Sequence, residues 1–388
     1  MAPLCSITAS NWAIAAAFAA LAIGHFRHGD PFRFPKVKLP LAVFFLCTTV
    51  SIALSGHALE GWEGIRKFYL CLVLLLVAST FRGPSDVRAL VLGLSGATAV
   101  SAAWSLVQFT RKLGEAQAAG RDFRLTYTAG ERITGFMSHW MTLSGEEMMV
   151  LLMLAALAMF GSKNGGPRWV LAAYGLLIGV SLAAGYTRSM WMGAALGGAY
   201  LIWHKDRRWL FAAPVVAGLL LAINPAGIGG RIVSIWKPAG TVDSNEFRMI
   251  CRRTAMEMIR AHPWFGVGPG QMKKVFEQYI PADIPRPLPP GAYIHMHNVY
   301  LQYGAERGIP ALLAFLWWIG KMLWDFVRSP NKDWILRGVI AVMIAILAAG
   351  WYEHNLGDGE VLTVFLGLCA SGYVAQEFGP RIHTNGHE

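Results

Sequence analysis

Charge is what this chain has least of. Asp, Glu, Lys and Arg make up 15% of its 388 residues against 55% hydrophobic ones, and the mean hydropathy is +0.42. A water-soluble domain keeps about a quarter of its residues charged to wet its surface, so this shortage excludes a soluble fold and calls for lipid around much of the chain. Cysteine is also scarce. Of five cysteines, Cys47, Cys71 and Cys369 lie inside apolar runs, which excludes a disulfide framework. Cys5 and Cys251 remain as a conceivable pair or, more simply, as small apolar thiols. No basic residue precedes the first apolar run, so the N-terminus does not have the form of a cleaved signal peptide. No internal repeat, heptad or low-complexity tract is visible either.

Long apolar runs, by contrast, recur about every 25 to 35 residues, as in a helical protein that crosses the bilayer many times. Spans are expected at roughly 8–25, 39–55, 65–81, 87–107, 140–160, 168–185, 189–203, 209–224, 309–327, 335–352 and 361–377. The fold class is therefore an all-α polytopic membrane protein, one integral domain over 1–388, with about 11 or 12 spans. One set of short loops holds fifteen lysines and arginines, among them Arg27, Lys38, Arg82, Arg168, Arg208 and Arg328. The opposite set holds Arg188, with Arg66 and Lys67 at a helix start. The basic side is expected to be cytoplasmic. That bias accounts for most of the net charge of +11 without nucleic acid as a partner.

Two larger loops then fall on the outer face, about 108–139 and 225–308. A loop as long as the second, without a domain of its own, is usually functional. It contains an amphipathic pattern at about 244–261, with Asp243 and Glu246 as a capping pair and His262-Pro263 as the stop. Arg248 and Arg252 lie four residues apart on that helix, which is expected to lie along the membrane surface. Gly266-Val267-Gly268-Pro269-Gly270 follows; no strand precedes it and Pro269 lacks an amide donor, so it is a poor phosphate loop. A proline-rich arm from Pro281 to Pro290 then delivers the chain to His295-Met296-His297-Asn298. There Asn298 can cap a short helix, Gly308 can end it with positive φ, and Pro310 can begin the next.

The candidate chemistry gathers on that outer face. His297, as a neutral imidazole, can take a proton from a hydroxyl nucleophile, although a hydrogen-bonded interfacial histidine is the plainer reading. His295 beside it gives only an incomplete metal set, with no nearby cysteine or carboxylate. Arg188 stands in the tight hairpin Ala184-Gly185-Tyr186-Thr187-Arg188-Ser189, where it either serves a site or snorkels to lipid headgroups. Arg248, with Arg252 beside it, offers planar forks suited to phosphate oxygens, or simply rests on anionic lipid. Arg132 extends the same basic surface. Glu146 and Glu147 sit at membrane depth and want partners, for which an arginine of the site is the natural choice. Glu353, His354, Asp358 and Glu360 read as the solvated end of a hairpin, with a divalent-ion site as the alternative. From the residues alone, arginines suited to a lipid-borne phosphate meet a histidine suited to hydroxyl transfer.

The chain resembles the bacterial O-antigen ligase family, which shares its membrane core with O-antigen polymerases and protein O-oligosaccharyltransferases. The resemblance rests on His297-Asn298 followed by Gly308, on Thr187-Arg188-Ser189 after an apolar helix, and on Arg248 upstream of Pro263-Trp264-Phe265-Gly266-Val267-Gly268-Pro269-Gly270. It covers about Arg132 to Pro310; Ala311 stands where the family pattern favours Gly, Thr or Tyr. The resemblance implies a GT-C-like bundle in the bacterial inner membrane with a periplasmic active site. It implies an inverting, metal-independent glycosyltransferase. The donor would be O-antigen on undecaprenyl pyrophosphate, the acceptor a sugar hydroxyl of lipid A-core, in lipopolysaccharide assembly. In that scheme His297 is the base, Arg188 and Arg248 hold the pyrophosphate, and Asn298 orients the histidine or caps its helix. Arg132, Arg252, His295 and Glu146 would complete substrate binding. A polymerase or a protein oligosaccharyltransferase would use the same donor; the short chain after the last span leans away from them. A transporter of lipid-linked sugars is the alternative from another class, disfavoured by charges on the outer face and no repeated halves.

Overall fold

The computed structural model describes residues 7–56, 58–128, 130, 132–161, 167–211, 218, 244–288, 295–330 and 332–378. They form helices and connecting turns, with no strand among the described residues. Among the described residues four helices are long and apolar enough to cross a membrane: α5 (Pro84–Ala118), α7 (Trp140–Phe160), α11 (Val299–Arg328) and α13 (Gly359–Phe378). Three shorter apolar helices join them, α2 (Lys38–Leu54), α8 (Arg168–Ala184) and α12 (Trp334–Ala349). The remaining described α-helices longer than one turn are α1 (Ile7–His28), α3 (Ala58–Arg66), α4 (Leu72–Thr80), α6 (Phe123–Thr128), α9 (Arg188–Asp206) and α10 (Ser244–Ala261). The chain is an all-helical, polytopic membrane protein.

The core is built around α12, which is buried along most of its length and packs chiefly on α9 and α7. In lipid the drive for this association is close backbone packing rather than escape from water. Glycine supplies it: a Cβ on Gly193 of α9 would stand 2.7 Å from the Ala345 carbonyl, and one on Gly197 2.7 Å from that of Ala341. A larger residue at either place would push α9 off α12. α12 itself starts where Asp333 accepts from the Leu336 amide at 3.0 Å, a side-chain cap that satisfies one orphan donor of the first turn.

Three expectations change. The 87–107 span continues as one helix to Ala118, and α6 follows, so the 108–139 loop is largely helical at its start. Hydropathy marks where apolar residues end; the helix itself runs on through Arg111 and Lys112, which no strong breaker precedes, and Arg111 folds back over the Trp104 ring at 5.4 Å. The 65–81 span is split into α3, a 3-10 turn at Lys67–Cys71, and α4. The long loop is also more than a connector. Ile250, Cys251, Ala255, Met258, Met272, Phe276 and Ile284 form a small core of their own, closed by Met296 and Ala305. α10 thereby packs on α11. The expected span at 209–224 and the loop residues 225–243, with Asp243, lie outside the described residues apart from Trp209, Leu210, Phe211 and Gly218; so does Cys5.

Candidate active site

The break in α11 positions the site. Gly308 has φ +80° and ψ 171°, which interrupts the helix just before Pro310. The turn after α10 grips that break: Val267 and Gly268 donate to the carbonyls of Ala305 and Glu306, both at 2.9 Å, and Ile309 donates to that of Pro263 at 2.7 Å. Ser51 of α2 adds a donation to the Phe265 carbonyl at 2.6 Å. The approach is so close that a Cβ on Gly308 would lie 2.2 Å from the Trp264 oxygen, and one on Gly266 2.3 Å from the Glu306 carbonyl carbon. The glycine-rich turn is thus a backbone clamp that fixes α10 against α11.

At the other end of this first α11 segment, Asn298 caps the helix, accepting from the Leu301 amide at 2.9 Å. Its amide nitrogen donates to the Trp351 carbonyl at 3.0 Å. Val299 donates to the Gly350 carbonyl at 2.9 Å, and Tyr300 to that of Leu347 at 2.8 Å. These ties lash the histidine segment to the turn after α12. His297 is held at φ +47°, a left-handed conformation that costs a residue other than glycine on the order of 1 kcal/mol and persists only where neighbours impose it. Here they do. Its amide donates to Nδ1 of His295 at 3.2 Å, and its ring meets Phe247 edge-on at 5.1 Å.

The turn places Glu353 at the centre. Its carboxylate is 2% exposed. One oxygen lies 3.2 Å from Nδ1 of His297, the other is bonded to the Arg248 guanidinium, whose Nε donates to the Tyr352 carbonyl at 3.3 Å. Burial alone would push this carboxyl up. Arg248 and the histidine contact outweigh it and hold Glu353 down at about 2, so it is an anion at any relevant pH. The hairpin end expected to be solvated is instead buried at Glu353 and Glu360. Sequence reasoning missed Glu353 as the partner of His297. Its signal was faint: a carboxylate directly after an apolar helix, opposite a basic helix.

Arg132 joins the group. Its Nε is buried without a hydrogen-bond partner, Nη2 donates to the Thr128 carbonyl at 3.3 Å, and the guanidinium lies 5.1 Å over the Trp140 ring. Burial lowers its pKa to about 10; Glu353 opposes the shift, while Arg248 and Arg188 reinforce it. Arg132 therefore lies within electrostatic reach of Glu353, Arg248 and Arg188. Arg188 opens α9 directly after Thr187. His139 caps α7, accepting from the Met141 amide at 3.2 Å, and feels both Glu353 and His297. His295 is pushed down to about 4, by burial first and then by His297, and so stays neutral.

The other named residues separate. Arg252 is exposed on α10, one position from Arg253, which makes a two-pronged pair with Asp283 at 2.8 and 2.9 Å. The expected pairing of Glu146 with a site arginine does not occur among the described residues. Glu146 is 1% exposed and neither oxygen has a hydrogen-bond partner, because α7 turns it into the core. Glu147 instead accepts from Ser181 at 2.5 Å. Among the described residues no group of three or more His, Cys, Asp or Glu is arranged to hold a metal ion.

Arg132 and Arg248 beside a carboxylate-paired histidine, on a polytopic helical protein, form a charged site of the kind that can bind an anionic group next to a base. A family model described as O-antigen ligase matches residues 173–316. That interval runs from α8 through Arg188, Arg248, His297 and the Gly308 break, leaving Arg132 and Glu353 outside it. The match covers this part of the chain and supports the resemblance to that family and the coarser class it implies, a glycosyltransferase of the O-antigen ligase and polymerase type. No curated protein matches the chain.

Proposed function

We propose that the protein transfers a glycan from undecaprenyl pyrophosphate to a hydroxyl of lipid A-core, at the periplasmic face of the bacterial inner membrane. The acceptor oxygen attacks the anomeric carbon while the bond to the pyrophosphate oxygen breaks, inverting the configuration. The hydroxyl proton passes to Nε2 of His297, and undecaprenyl pyrophosphate departs as the anion. Glu353 holds Nδ1 of His297, which fixes the ring and leaves Nε2 for the acceptor, as an orienting carboxylate does in other base-assisted transfers. Arg132, Arg188 and Arg248 meet the diphosphate and stabilise charge as it leaves. His295, kept neutral, adds no charge that would compete for Glu353. The chemistry is drawn without a metal or cofactor.

The observation that carries this reading is the chain Arg248–Glu353–His297, set beside the buried, unpartnered Nε of Arg132. An orphaned guanidinium donor is costly unless a ligand uses it, and a phosphate oxygen has the right charge and geometry. The test is reconstitution in proteoliposomes with a polyprenyl-pyrophosphate glycan, chelator present throughout, and three acceptors: lipid A-core, a second lipid-linked repeat, and an acceptor peptide. Glycan is expected on lipid A-core, and His297→Ala is expected to abolish transfer while the variant still binds donor. Wild-type turnover in that variant would remove the base, and transfer only to the repeat or the peptide would reassign the acceptor.

A further inference from the structure

A second cationic pocket is lined in part by the 350–358 turn, at His354, Leu356 and Gly357. It is a cavity of about 50 Å³ lined by Lys67, Arg307, His354, Tyr303, Phe44 and Trp318, among others, space for a few water-sized groups. Arg307 forms its floor at 9% exposure, and its Nε is buried with no hydrogen-bond partner. The guanidinium carbon lies 4.5 Å from the centroid of the Tyr303 ring and 5.5 Å from that of Phe44, two aromatic contacts that hold the cation in place. Lys67 is exposed and anchored by a 2.6 Å donation to the Gly357 carbonyl. The adjacent Glu306 is within electrostatic reach of Arg307 and Lys67 but is tied to the clamp, one oxygen accepting from the Gly270 amide at 3.3 Å. Phe68, also in the lining, packs edge-on at 5.0 Å against the exposed Phe45 of α2. The polar pocket therefore continues onto an apolar flank.

We propose that this pocket binds the phosphate of an amphiphile, with Arg307 and Lys67 on the phosphate oxygens and the apolar chain along Phe68 and Phe45. It rests on the transfer reading only for the identity of the guest: there, the phosphate is the one carried by the acceptor lipid. His354 lines this pocket, and a row of tilted rings leads from it through His295 to His297, with centroids 6.3 and 4.1 Å apart. A lipid seated here is linked to His297 through the rings of His354 and His295.

The experiment uses the full chain in phosphatidylcholine nanodiscs and measures binding of dodecyl phosphate and of inorganic phosphate by calorimetry. Charge-assisted hydrogen bonds to phosphate are each worth about tenfold or more in affinity. Dodecyl phosphate is expected to bind the wild type and to bind R307Q and K67Q at least tenfold more weakly, with R307K between them. Inorganic phosphate is expected to bind at least tenfold more weakly than dodecyl phosphate. Should R307Q fail to fold, K67Q, altered at an exposed position, decides alone. Affinities of R307Q and K67Q within twofold of the wild type would overturn the proposal, as would equal binding of inorganic phosphate. Loss of binding in R188Q but not in R307Q or K67Q would assign the signal to the other arginines and likewise overturn it. None of these readings depends on turnover, so failure here and failure of the transfer reaction are separately visible.

Discussion

Glu353→Gln removes one charge and almost no volume from the centre of the site. The amide oxygen can still accept from Arg248 or from His297, but its NH₂ must face the other. One of two contacts, the 3.2 Å histidine contact or the guanidinium pair, becomes donor against donor. Losing one partner of a buried ion pair costs about 3–5 kcal/mol. Arg248 keeps 22% of its side chain exposed, so water recovers part of that and the lower end applies. For the chemistry, misorienting a base histidine by neutralising its carboxylate lowers kcat by as much as ~10⁴, and a fall of about 10² to 10⁴ is expected here. The assay is transfer to lipid A-core followed by mass spectrometry, separating kcat from the donor KM; the larger fall is expected in kcat. Acid stability checks the same carboxylate. Its folded value of about 2 lies below the ordinary 4.5, so its stabilisation is full above about 4.5 and is lost as pH falls towards 2. Thermal unfolding in nanodiscs is expected to lose that pH dependence in the variant. A Gln variant with kcat within threefold of the wild type would refute the orienting role.

Gly308→Ala places a Cβ 2.2 Å from the Trp264 oxygen at φ +80° and is expected to lower stability by more than about 2 kcal/mol, read as a drop in Tm; an unchanged Tm would mean the clamp is not rigid. Asn298→Ala removes a helix cap worth about 1 kcal/mol and the tie to Trp351, so transfer is expected to fall while donor binding holds. Arg132→Gln is expected to raise the donor KM about tenfold and Arg132→Lys less, since a lysine keeps charge but lacks the fork. Equal KM for both variants and the wild type would place no phosphate at Arg132.

Much of the fold was legible because lipid imposes a simple rule on sequence: every spanning segment must satisfy its own backbone, so apolar length and helix coincide. α2, α7, α8, α12 and α13 fall where hydropathy placed them. The rule fails where helix continues past the apolar run, as α5 does to Ala118. It fails again where an apolar run bends, as at Lys67–Cys71. Backbone hydrogen bonding is indifferent to side-chain hydropathy, so helix ends in water are set by caps and glycines instead. Asn298 and Gly308 are such signals, and both do what their residue types implied.

The site was half legible for a related reason. Residues that act through their own chemistry, an arginine against the orientation bias or a histidine after a proline arm, can be picked out singly. Glu353 cannot, because its importance comes from a neighbour 56 residues away and from burial that no local pattern announces. The same logic separates Arg132 from Arg252. Both are arginines in polar stretches, yet one is held over Trp140 with its Nε buried while the other sits on the outward side of α10. The i, i+4 spacing that put Arg248 and Arg252 on one helix face is true of the helix but says nothing of where the face ends. The Gly266–Gly308 clamp sets that boundary: by fixing how α10 lies on α11, it brings one turn of the arginine stripe over Glu353 and leaves the next in solvent. Position on the helix decided which residues were candidates, and the clamp decided which of them reached the carboxylate.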